Sequence, residues 1–185
     1  MKNILTIAIA TILVFAVLIN IAGPPSFAAS AQAEDPIASI RQHYAEINRS
    51  AAKYRKVKKE LSGFSAEGGQ LVAYFDGANL TKIAATFFGE TGKTAEEYYY
   101  WNGKLIFVLR TENRYSKPLS GKIVKTEVNR FYFNDDKLIR WIDESGKQVA
   151  AETSEYAEKQ KDYLDSSKQF GEGARSKKPT IESNQ

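Results

Sequence analysis

The chain contains no cysteine, one histidine and one methionine. Without thiols, a disulfide scaffold and a thiolate metal site are both excluded. The single histidine, His43, has no second imidazole to share a metal with, and any serine triad would have to run through it. Its place beside the apolar stripe of the first helix reads as a flanking, partly exposed residue. No glycine-rich phosphate loop is present, because Gly68-Gly69 lacks both the spacing and the lysine. The formal charge is only +4 with both signs interspersed, which gives no electrostatic case for nucleic acid. No cofactor is expected.

The clearest feature present is at the start. Met1-Lys2 leads into an apolar run from Ile4 to Ile21, broken only by Thr6, Thr11 and Asn20. Gly23-Pro24-Pro25 and small residues to Ala31-Gln32-Ala33 follow. A positive start, an apolar middle and a small-x-small exit make residues 1–33 a secretory signal peptide, with cleavage before Glu34. The competing reading is an uncleaved anchor, because the run approaches the roughly 20 residues that span a bilayer. Either way the remainder is expected outside the cytoplasm, periplasmic or secreted, and a cysteine-free exported domain suits a bacterium. Cleavage lowers the charge from +4 to +3.

Residues 34–170 read as one α+β domain. Asp35-Pro36 is a helix start, with a capping carboxylate and proline at the first position. Ile37, Ile40, Tyr44, Ile47, Ala51, Tyr54 and Leu61 then recur at three- and four-residue steps, which predicts an amphipathic helix over 36–61. The basic run Lys53–Glu60 falls on its solvated face.

From Gln70 to Glu144 the pattern changes to aromatic and β-branched residues divided by turn pairs. Strands are expected at 70–75, 80–88, 95–101, 104–112, 125–134 and 137–143, a roughly six-stranded antiparallel meander with a longer loop at 115–123. A second helix is expected over 151–170, and 171–185 reads as a loose polar tail.

Three segments share an aromatic, a turn pair and a leucine: 74-YFDGANL-80, 100-YWNGKL-105 and 133-FNDDKL-138. The motif is similar, over a few residues per copy, to tandem aromatic–Asp–Gly repeats of large bacterial surface proteins. That likeness implies repeated hairpins and nothing about activity. Taking Asn102-Gly103 as a two-residue turn pairs Tyr99 with Ile106 and Tyr98 with Phe107. Tyr98, Tyr100, Leu105, Phe107 and Leu109 then share one face; Tyr99, Trp101, Ile106 and Val108 share the other. The same construction at Asp135-Asp136 sets Arg130 opposite Trp141, in reach of a cation–π contact. Neither face is polar, so each needs a cover.

The simpler expectation is structural: the first helix covers one face and the second helix or the long loop the other. The functional alternative is a ligand surface made by Tyr99, Trp101, Tyr132, Trp141 and Arg130, facing a protein, peptide, glycan or lipid. The preferred function is a non-enzymatic exported binding or accessory domain using this sheet. The alternatives are an envelope polysaccharide hydrolase drawing a carboxylate pair from Glu96, Glu97, Asp135, Asp136, Asp143 and Glu144, and an exported inhibitor of a hydrolase.

Overall fold

The Asp35 carboxylate accepts a hydrogen bond from the backbone N–H of Ile37 (3.0 Å), and Pro36 opens α1 (Pro36–Ser50), as its capping residues dictate. The computed structural model describes residues 35–184; the expected leader, residues 1–33, lies outside them. Seven strands follow: β1 (Arg55–Ser62), β2 (Gly69–Asp76), β3 (Asn79–Gly89), β4 (Gly92–Trp101), β5 (Lys104–Tyr115), β6 (Ile123–Asn134) and β7 (Lys137–Ile142). The chain then forms α2 (Ser154–Arg175) and a short β8 (Thr180–Glu182). The class is α+β as expected, with an N-terminal helix, a large antiparallel meander and a C-terminal helix. The sheet has eight strands in the order β7-β6-β5-β4-β3-β2-β1-β8, and only β8 runs parallel to its neighbour.

Two expectations fail at the ends of the domain, for a shared reason. The first helix stops at Ser50, and the rest of the helix expected over 36–61 falls largely in β1 (Arg55–Ser62). The residues expected as a loose tail continue α2 to Arg175 and then add β8 beside β1. Val57, Lys59 and Leu61 alternate onto the face covered by α2. The Lys59 side chain, only 6 % exposed, donates from Nζ to the Ser176 carbonyl (2.8 Å) and to that of Lys178. A lysine in the middle of a buried triplet hides the strand's period, and its partners lie more than a hundred residues away. Ile181 on β8 is buried against Gly173, where an added Cβ would come within 2.5 Å of the Ile181 side chain. The tail is therefore held by one large apolar residue and a glycine that lets it approach.

Helix α2 packs its Tyr156, Tyr163, Phe170 and Ala174 on one face of the sheet, against Leu71, Ile83, Tyr98, Val108, Phe131, Phe133 and Trp141. Each large side chain buried there contributes roughly 1.5–3 kcal/mol. Tyr156 and Gln160 also fasten β7: the tyrosine hydroxyl donates to the Leu138 carbonyl (3.0 Å), and the Leu138 N–H donates to Gln160 Oε1 (2.8 Å). Helix α1 lies on the other face over β4, β5 and β6, burying Ile37, Ile40 and Ile47 against Tyr99, Phe107 and Tyr132.

The three repeated motifs form three hairpins of one construction. In each the aromatic pairs with the leucine: Phe75 with Leu80, Tyr100 with Leu105, Phe133 with Leu138. In each the residue after the leucine, Thr81, Ile106 or Ile139, is left unpaired as a bulge. Asn102, Gly103, Asp135 and Asp136 all have positive φ (50°, 78°, 48° and 59°), as type I′ turns require.

The turns at Asn102-Gly103 and Asp135-Asp136 lie where expected. That of the first hairpin falls one residue later, because Asp76 pairs with Asn79. The bulges shift the register one residue beyond the turns. Tyr99 pairs with Phe107 and Tyr98 with Val108, which moves Phe107 and Leu109 to the α1 face and Val108 to the α2 face. In the third hairpin Arg130 pairs with Ile142 and Phe131 with Trp141, so the expected Arg130–Trp141 stack is not formed. Trp141 packs on Phe131 instead, with ring centroids 5.2 Å apart.

Candidate functional site

The five residues expected to make a ligand face divide between both sides of the sheet. Trp141 is under α2, with its Nε1–H donated to Asn129 Oδ1 (2.9 Å). Tyr99, Tyr132 and Trp101 belong to the α1 side, where Tyr99 is fully covered and Tyr132 only 6 % exposed. Trp101 is half-buried and stacks on His43, with centroids 3.7 Å apart and planes inclined by 17°. Arg130 is exposed. Two of the five, Arg130 and Tyr132, come together in a single groove.

That groove, 310 Å³ in volume, runs between α1 and the adjoining strands. Ile40, Arg41 and Tyr44 form the helix wall; Phe107, Leu109 and Thr111 come from β5; Val128, Arg130 and Tyr132 come from β6. The strand residues are cross-strand partners at alternating positions, Phe107 with Tyr132, Leu109 with Arg130 and Thr111 with Val128, so they form a continuous floor. A 15-residue helix cannot roof an eight-stranded sheet, and the groove opens where its cover runs out. The floor is mostly apolar. The two guanidiniums, both on exposed residues, form no ion pair among the described residues.

Beneath the other end of α1 the sheet is sealed by a polar cluster. Lys82 Nζ lies 2.6 Å from Glu97 Oε1, donates to Asn48 Oδ1 (3.1 Å) and sits 4.8 Å from the centre of the Tyr99 ring. The Tyr99 hydroxyl is 2.9 Å from Glu97 Oε2 and 3.2 Å from Asn48 Oδ1. Burial, then the nearby Glu97 carboxylate, push the Tyr99 phenol far above its ordinary range, so it stays a donor. The cluster ties the helix C-terminus to β3 and β4.

A second opening, of 430 Å³, lies under α2 and is lined by Glu96, Arg110, Asn129, Trp141, Asp162 and Tyr163 among others. Glu96, only 14 % exposed, accepts from the Tyr98 hydroxyl (2.6 Å) and has Arg110 Nε at 3.6 Å. Its burial raises the carboxyl pKa, and this outweighs the opposing effects of Tyr98 and Arg110. Of the other candidate carboxylates, Glu144 lines this cleft, Glu97 is on the far side of the sheet, and Asp135 and Asp136 form an exposed turn. Asp143 organises its own turn, its carboxylate accepting from the N–H groups of Ser145 (2.9 Å) and Lys147 (2.8 Å). Among the described residues no group of three or more His, Cys, Asp or Glu side chains is arranged to hold a metal.

No family model, curated protein or solved structure matches the chain. Arg41, Arg110 and Asn129 were not among the residues expected from the sequence to form a site. The period-two series Phe107-Leu109-Thr111 and Val128-Arg130-Tyr132 was the available signal for the groove floor.

Proposed function

We propose that the protein is an exported, non-enzymatic binding domain whose ligand site is the groove beside α1. Its ligand class is a small linear amphiphile, with an apolar chain lying on Leu109, Thr111 and Val128 and an anionic head held by Arg41 and Arg130. The observation that carries this reading is an open apolar floor flanked by two arginines with no acidic partner among the described residues. The volume is at the small end for ligand sites, which suits one chain rather than a bulky ring system. Titration of a fluorescent long-chain carboxylate tests it. Val128→Trp, which fills the floor, and Arg130→Glu, which repels the head, should each weaken binding by about tenfold or more, a loss near 1.4 kcal/mol. Wild-type protein that does not bind the probe, or variants that bind it equally well, would sink the reading.

One observation favours a second reading. Glu96 combines a raised pKa, a cleft and neighbouring acids, the combination expected of a proton donor in glycoside hydrolysis. Under this reading Glu96→Gln abolishes turnover of envelope glycans while leaving the fold intact. Undetectable turnover by wild-type protein across a panel of such glycans removes it.

A further inference from the structure

The edge strand β7 covers only part of β6. It pairs with Arg130–Asn134, while β6 begins at Ile123, so residues 123–129 have no strand on that side among the described residues. The direction of their backbone groups follows from the hydrogen bonds of β7. Asp143 N–H donates to the Lys147 carbonyl and Val149 N–H to the Trp141 carbonyl, so residues 141 and 143 point away from β6. Arg140 and Ile142 therefore point toward it, and so do their partners Tyr132 and Arg130 toward β7. Alternation carries this on to Val128 and Thr126, whose N–H and C=O groups point to the side that β7 leaves unpaired. No backbone hydrogen bond from any loop reaches them among the described residues.

Edges of this kind are usually blunted by charge or by a bulge. This one has both, since Lys125 is exposed and Val124 is the extra residue at a register shift against β5. Yet it also exposes Val124 (61 %) and Ile123 (44 %), two of the five large apolar residues most open to solvent among the described residues. Its charge order is self-complementary. Lys125 and Glu127 flank Thr126 on one face of the strand, 2.6 Å apart within the chain, with the lysine 56 % and the glutamate 22 % exposed.

We propose that this edge pairs with the same edge of a second copy, antiparallel, about a two-fold axis through Thr126. Thr126 then meets Thr126 of the second copy, as a pair whose outward N–H and C=O groups bond reciprocally. Lys125 falls opposite Glu127 of the second copy and Glu127 opposite its Lys125, so each charge gains a second partner of opposite sign. Val124 falls at the margin of the paired stretch, and Val128 lies on the α1 face. An isologous contact of this kind closes on itself, whereas an unpaired edge without self-complementarity would invite open-ended association. Val128 also forms part of the groove floor, so the two grooves would lie side by side on one surface of a continuous sixteen-stranded sheet.

The pairing is independent of what the groove binds. Sedimentation velocity over about a hundredfold range of protein concentration should show the mass rising from one copy toward two and no further. Lys125→Glu places like charges opposite each other at two symmetric positions and should raise the dissociation constant roughly tenfold. Combining it with Glu127→Lys reverses both signs and should restore pairing to within about twofold of the wild type. Thr126→Pro removes an N–H that points only outward, and should give a folded monomer, checked by circular dichroism. A monomer at every concentration overturns the proposal and leaves the edge to an extended segment of another protein. A dimer unaffected by Lys125→Glu also overturns it, since the contact then lies elsewhere.

Discussion

Glu96 and Glu97 are neighbours in the chain and face opposite sides of the sheet, Glu96 bound by Tyr98 under α2 and Glu97 by Lys82 and Tyr99 under α1. Alternation along β4 makes a catalytic pair of the two impossible, and gives each its own neutralising partners. The domain is built around this division, with one polar cluster beneath each helix.

The α1 cluster sets the first prediction. Glu97→Gln leaves Lys82, whose side chain is 9 % exposed, without its counter-charge, and should lower unfolding free energy by about 2 kcal/mol. Lys82→Met should cost a similar amount. The double variant should lose clearly less than the two added together, because neither charge is then stranded. Urea denaturation of the four proteins checks this; strict additivity contradicts it.

Glu96 sets a pH dependence. Burial raises its pKa above the ordinary 4.5, so folded protein holds a proton that the unfolded chain has released in the window just above that value. Its contribution is fully present below the ordinary pKa and is lost as pH rises through the raised one. Glu96→Gln should therefore gain stability relative to wild type between acid and neutral pH. Denaturation midpoints measured along a pH series check it, and parallel curves for the two proteins would refute it.

Lys59 is predicted to hold the C-terminus. Replacing it with Met leaves the Ser176 and Lys178 carbonyls without their donor, a loss of about 1–3 kcal/mol. The effect should be local, with faster amide hydrogen exchange in β8 and the last turn of α2 and little change in β4 or β5.

The two tryptophans should respond differently to a solution quencher. Trp101 alone, in a Trp141→Phe variant, should be quenched, because it is half-buried at the end of a hairpin. Trp141 alone, in a Trp101→Phe variant, should be shielded under α2 at 6 % exposure. Equal quenching of both would mean that α2 does not cover its face.

Much of this architecture could be read from residues. The helix cap at Asp35-Pro36, the turns at Asn102-Gly103 and Asp135-Asp136, and the conclusion that both faces need covers rest on local chemistry, and the structure bears them out. What escaped was non-local. The bulges at Ile106 and Ile139 come after ordinary-looking leucines and reverse the face of every later residue on the strand. The bulge at Ile139 sent Trp141 to α2, and Arg130 and Tyr132 are the two of the five expected residues that share a groove. β1 was missed because Lys59 points inward, and nothing near it in the sequence reveals the helix end that it meets.

The groove beside α1 is tested most directly by two-dimensional amide NMR of the labelled protein titrated with dodecanoate. Shifts should concentrate at residues 40–44, 107–111 and 128–132 and should saturate. Shifts confined to the α2 cleft around Glu96, Arg110 and Asp162, or the absence of saturable shifts anywhere, would contradict the assignment of the groove as the binding site.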